Sequence, residues 1–219
     1  MSNLYFQKQP LRRVVGFAIL VCVLSAPASA ATFSFGCITN NLAGDCAIGE
    51  AAFQVEITDP GGGDVDFTFT RTGSDDANLS EVYFDDGTLL GLSSVASSAG
   101  VVFTGGSASP PDLPGGNSIT PVFNVTAGFL AEANNPAPKK GVNDNTDWLT
   151  LTFELINGAT VADTISAMGS DLRIGIHVTA FESGGSESLI APPQVPVPAA
   201  VWLFGSALGL LGWIRSKEA

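Results

Sequence analysis

The chain has 219 residues, with nine Lys and Arg against 21 Asp and Glu, one His, three Cys and a net charge of −12. Twenty of the acidic residues but only four of the basic ones fall between positions 31 and 198, so that segment carries −16. So acidic a surface excludes nucleic acid as a partner, because phosphate binding needs a basic footprint.

The chain opens on an export signal. Lys8, Arg12 and Arg13 form a basic start, Val14 to Leu24 an apolar stretch, and Ala28-Ser29-Ala30 a small-residue cleavage site. Residues 1–30 are therefore expected to be a signal peptide, with Ala28 and Ala30 marking the cut. The segment 31–190, a length that suits one domain, is expected to stand outside the cytoplasm.

Cys22 leaves with the signal, so Cys37 and Cys46 remain as an even pair in an oxidising compartment. Asn40-Asn41 and Gly44-Asp45 lie between them and turn the chain back. A disulfide closing this small loop is expected; two free buried thiols are the alternative.

The domain reads as all-β. Phe53, Val55 and Ile57 alternate with polar residues, as do Val65, Phe67 and Phe69 after the turn Asp59-Pro60-Gly61-Gly62-Gly63. The same period of two recurs at Leu149, Leu151, Phe153 and Leu155 and at Ile174, Ile176 and Val178. Such alternation marks an antiparallel strand with one buried face. Weaker strands are expected at Val82–Phe84, Val101–Phe103 and Val122–Thr126, one short helix at Val161 to Met168 with Gly169 as its cap, and a surface loop at Gly105 to Ser118. Seven or eight short strands divided by Gly, Pro, Asp and Asn predict an antiparallel β-sandwich with one short helix.

Residues for chemistry are sparse. His177 is the only imidazole; it sits on the polar side of a strand, without a nucleophile elbow, a zinc motif or a phosphate loop. No catalytic residue is assigned, and the domain is read as non-enzymatic. Three acidic loops have the oxygen ligands calcium takes: Asp59 with Asp64 and Asp66, Asp85-Asp86-Gly87, and Asn143-Asp144-Asn145 with Asp147. Asp, Asn and Gly are also the common turn formers, and that plainer reading stands beside the metal one. Asp144 and Asp147 are the first choice for a metal, with calcium as the one cofactor considered.

The end of the chain has three parts. A hinge at 191–198 holds Pro192, Pro193, Pro196 and Pro198. From Ala199 to Ile214 no charge interrupts an apolar run, about 24 Å long as a helix. Trp202 and Trp213 stand near its ends, and Arg215 and Lys217 hold the terminus on the cytoplasmic side. Residues 199–219 are thus expected to form a single transmembrane helix and basic tail. An ordinary anchor and a buried helix are the alternatives, the latter weakened by the stiff prolines.

Val195-Pro196-Val197-Pro198, the Trp-Leu-Phe-Gly-Ser start at Trp202 and the basic end at Arg215 and Lys217 together resemble the PEP-CTERM sorting signal of exosortase substrates. Val197 stands where members often carry Glu. The resemblance covers only Val195 to Lys217. It implies processing by an exosortase near Pro196 to Ala199, transient membrane anchoring, and delivery to the cell surface or to an exopolysaccharide matrix. A surface or matrix protein contributing to biofilm or envelope is the leading expectation; a carbohydrate- or calcium-binding module on the same fold is the alternative.

Overall fold

The structure, a computed structural model, describes residues 30–86, 90–105, 112–126 and 130–192. It is mostly β, with two antiparallel sheets and two short helices. The strands are β1 (Ala30–Ser34), β2 (Gly36–Cys37), β3 (Phe53–Thr58), β4 (Asp64–Arg71), β5 (Asn78–Asp85), β6 (Leu90–Ser97), β7 (Phe103–Gly105), β8 (Leu130–Ala133), β9 (Trp148–Leu155), β10 (Arg173–Thr179) and β11 (Glu187–Ala191). The helices are α1 (Asp45–Ala52) and α2 (Val161–Ala167). One sheet has the order β1-β3-β4-β9-β6, the other β2-β11-β10-β5-β8-β7.

The four strongly alternating segments form the strands expected of them, because each buries one row of side chains. Val55, Ile57, Val65, Phe67, Phe69, Leu149, Leu151 and Phe153 point inward from the first sheet. Leu79, Val82, Phe84, Ile174, Ile176, Val178 and Leu189 join the same core from the second. Phe67 and Phe153 meet Phe84 of the opposite sheet edge-on or tilted, with ring centroids 5.1 and 4.7 Å away, and meet each other edge-on at 5.6 Å, a favourable aromatic geometry. The chain changes sheets at Phe35, itself buried, so that β1 pairs with β3 while β2 pairs with β11.

Two expectations of local structure are corrected. There are two helices, not one. α1 starts at the end of the cysteine loop and runs on past Cys46, and Gly49 lets its backbone approach Leu189; a Cβ at Gly49 would lie 3.2 Å from that side chain. The segment around 122–126 is no strand. Phe123 and Val125 instead bury against the outer face of the second sheet with Leu113, Tyr83 and Ile190. Leu113 is thus a buried anchor inside what reads as a surface loop.

α2 begins at a capping box. Thr160 Oγ1 accepts the Asp163 N–H at 3.2 Å, and the Asp163 carboxylate accepts the Thr160 N–H at 2.9 Å. The helix closes at Ala167, before Met168, and Gly169 takes a positive φ of 88° just beyond. β11 runs through Ala191, fully buried, to the residue before Pro192. Ala30, expected at the signal cut, is the exposed first residue of β1 and pairs with Thr58.

Among the described residues no helix is long and apolar enough to cross a membrane. The expected C-terminal helix at 199–219, the sorting residues Val195, Pro196, Val197, Pro198, Arg215 and Lys217, and Ala28 of the signal lie outside the described residues.

Candidate functional site

Cross-strand pairing lines up side chains on the outer face of the second sheet. Glu132 of β8 stands opposite Glu81 of β5, Glu81 opposite His177 of β10, and His177 opposite Ser188 of β11. His177 Nδ1 lies 3.0 Å from Glu81 Oε2, and the Tyr83 hydroxyl donates to the same oxygen at 2.5 Å. The His177 bond holds the Glu81 carboxyl below its usual range, against the opposing effect of burial and with help from Tyr83. Burial, with the Glu81 and Glu132 charges, pushes the Tyr83 hydroxyl far above its ordinary value.

An imidazole oriented by a carboxylate is half of a nucleophile-activating arrangement. The hydroxyl that would complete it belongs to Ser188, which is fully buried and whose Oγ has no hydrogen-bond partner among the described residues. The cluster therefore offers no nucleophile to a substrate. Beside it, Tyr83, Gly175 and Ile190 are covered by residues 112–126. Arg173 clamps that strap. Its guanidinium pairs with Asp85, donates to Pro121 O at 2.8 Å and Val122 O at 2.6 Å, and lies 5.2 Å from the Phe123 ring centroid.

Cys37 and Cys46 form the expected disulfide, with Cα atoms 5.5 Å apart. Cys46 lies in the first turn of α1 and Cys37 at the end of β2, so the bond ties helix to sheet edge. Next to it Glu187 is fully buried. It accepts the Thr39 hydroxyl and three successive backbone N–H groups, Asn40 at 2.7 Å, Asn41 at 2.6 Å and Leu42 at 3.0 Å. Burial raises its pKa, and these donors together overcome that and leave it lowered. Sequence reasoning missed Glu187; a glutamate inside Ser-Glu-Ser reads as loop.

In the first and third acidic loops the carboxylates hold turns or strand neighbours, while Gly87 of the second lies outside the described residues. Asp147 Oδ2 accepts the N–H groups of Asn143 and Asp144 at 3.1 and 3.0 Å, while Asp144 Oδ1 accepts both N–H and hydroxyl of Thr146 at 3.0 Å. Those Thr146 bonds lower the Asp144 pKa. Asp59 accepts the Gly61 N–H, and Asp66 accepts the Thr152 hydroxyl. Asp85 and Asp86 diverge, the first to Arg173, the second to the Leu90 N–H, and burial raises the Asp86 pKa. Among the described residues, three metal-ligating side chains converge only at Cys37, Cys46 and Glu187, where the two sulfurs are already bonded to each other.

The outer face of the first sheet is different in kind. Its three central rows are Ser34–Gln54–Thr70–Trp148, Thr32–Glu56–Thr68–Thr150–Ala96 and Ala30–Thr58–Asp66–Thr152–Ser94. Hydroxyls dominate, and several are paired: Thr68 with Thr150 at 2.9 Å, Gln54 with Thr70 at 3.3 Å, Thr152 with Asp66 at 2.6 Å. Trp148, at the start of β9, is 38% exposed. Alternation made these rows legible in part; which strands would lie side by side was not. Comparison of the chain with protein-family models, with curated proteins and with solved structures finds no match to any of them.

Proposed function

We propose that this chain is an exported surface or matrix protein, sorted by an exosortase, whose antiparallel β-sandwich domain works without catalysis in association with exopolysaccharide. In this reading residues 1–30 are removed, the Pro-rich hinge spaces the domain from a single membrane helix, and the tail is processed. The Cys37–Cys46 bond carries the reading: a disulfide in a single small domain belongs to an oxidising compartment. The strongly acidic segment 31–198 and the buried, inaccessible Ser188 beside His177 are in keeping with a protein that acts by display. The Trp148 face favours carbohydrate over calcium as the ligand of a second, binding-module reading, since the acidic loops spend their carboxylates on turns.

Intact-mass spectrometry of the protein from its own cells, envelope against medium, tests this. The expected product begins at Ala31, ends near Pro198 and is two mass units lighter than the reduced chain. A membrane-held product still carrying its tail through Ala219 overturns exosortase processing, and a product retaining residues 1–30 overturns export.

A further inference from the structure

The outer face of the five-stranded sheet has no obvious task in a domain that merely folds. Its three central rows hold hydroxyls, one amide, two carboxylates and one exposed indole, with neither a cation nor a large aliphatic side chain, and the row beyond them sets Asp64 opposite Glu154. Each threonine hydroxyl both donates and accepts, so the face can hydrogen-bond a partner that does the same. The threonines are β-branched and stiff at χ1, and the Thr68–Thr150 and Gln54–Thr70 contacts hold them further, so little freedom is lost when a ligand docks.

Possible occupants are separated by chemistry. An anionic polymer or nucleic acid would meet Glu56 and Asp66 with no cation to offset them. A second copy of the sheet would bring hydroxyls against hydroxyls, without the apolar centre that stable protein interfaces concentrate. A neutral polysaccharide supplies hydroxyls for the threonines and apolar C–H faces for an indole. Gln54, Glu56 and Trp148 are exposed on this face and Thr68, Thr70 and Thr150 half-buried, and it spans several strands about 4.8 Å apart, which suits an extended chain contacted at many points.

We propose that this face binds an extended, uncharged polysaccharide, with Trp148 stacking on one sugar ring and Thr68, Thr70 and Thr150 hydrogen-bonding its neighbours. The inference rests on the matrix-associated reading above and names the ligand class of that association.

The test is affinity electrophoresis of the full-length chain, kept in a polyoxyethylene detergent, through native gels containing hydroxyethylcellulose, laminarin or galactomannan, with polygalacturonate as the anionic comparison. At least one neutral gel is expected to retard the protein and polygalacturonate to leave it free. Trp148→Ala and the double variant Thr68→Val, Thr150→Val are each expected to weaken retardation at least tenfold while keeping the thermal midpoint. The near-isosteric double variant decides the matter if Trp148→Ala fails to fold. Free migration in all three neutral gels, or retardation that neither variant changes, overturns the proposal. So does sedimentation showing a dimer that both variants dissociate, which would assign the face to a second copy. Each of these outcomes leaves the mass of the exported product unchanged, so failure here is distinct from failure of the sorting reading.

Discussion

Glu187 is the residue on which the first part of the domain depends. One buried carboxylate gathers a hydroxyl and three backbone N–H groups from Thr39 to Leu42, a loop without regular structure to satisfy them otherwise. Glu187→Ala orphans all four donors and is expected to cost about 3 kcal/mol in urea unfolding. Glu187→Gln keeps one acceptor but turns an amide donor toward other donors, and is expected to cost nearly as much. The pH dependence has a definite sign. Because the folded-state pKa is lowered, the carboxylate contributes fully above the ordinary carboxylate range, and the contribution disappears as pH falls through the folded value. The wild type should lose stability between pH 5 and acid more steeply than Glu187→Gln, as acid titration followed by circular dichroism would read. Equal slopes would remove Glu187 from this role. Tyr83 acts at the other end of the scale. Its hydroxyl stays protonated in the fold when an unfolded tyrosine ionises, so stability falls as pH rises above about 10. Tyr83→Phe should flatten that alkaline limb.

Among the elements, the strap over the second sheet and the helix α2 make opposite demands on the sequence. The strap needs an empty position beneath it. A Cβ at Gly175 would come within 2.7 Å of Leu113 Cδ2 and 3.1 Å of the Phe123 ring, so Gly175→Ala should lift residues 112–126 and make them the first site of limited proteolysis. Arg173→Lys keeps the charge but loses the fork that reaches Asp85, Pro121 and Val122 together; a loss of about 2 kcal/mol and the same early cleavage are expected. Early cleavage elsewhere would mean that the strap is held by other contacts. α2 instead depends on its first residue, and Thr160→Ala should cost about 1 kcal/mol by denaturant unfolding. These cases show how far the elements could be read in advance. Strands with a strict apolar period, such as β4 and β9, were plain, because one row of Phe and Leu has only one place to go. β6 was silent, since Gly91 and its serines carry no period at all. The run at Val122–Thr126, expected as a weaker strand, forms no ladder; Phe123 and Val125 bury on the back of a sheet while Val122 stays exposed. A period of two reveals that a face is covered, not which surface covers it.

At the scale of the molecule, opposing terms are set by the disulfide and the charge. Cys37 and Cys46 are nine positions apart, and chain-entropy reasoning gives their bond about 2.5 kcal/mol. Reduction should lower the unfolding free energy read from urea denaturation by that amount without changing the fold, since α1 and β2 each retain other contacts. The −16 of residues 31–198 works against compactness by self-repulsion. Raising sodium chloride from about 0.01 to 0.15 M shortens the screening length from about 30 to 8 Å, so the thermal midpoint should rise. A midpoint that falls with salt would mean that the Arg173–Asp85 pair and its kind outweigh the repulsion. The paired sheets were legible in outline, because alternating segments of this number have few ways to hide their apolar faces. The candidate binding face was not legible, because it depends on strand order, and neighbours such as β4 and β9 are far apart along the chain.

The crossing at Phe35 has a consequence in time. β2 finds its partner only in β11, where Cys37 faces Leu189, and the loop after β2 waits for Glu187 on that same strand. A chain emerging N-terminus first therefore pairs β1 with β3 early but carries β2 without its partner until almost the whole domain has appeared. Closure of that sheet is a late event, with the slow kinetics of contacts so distant in sequence. Under the proposed export, that sheet would still lack its edge strand's partner while most of the chain is being threaded through a narrow pore.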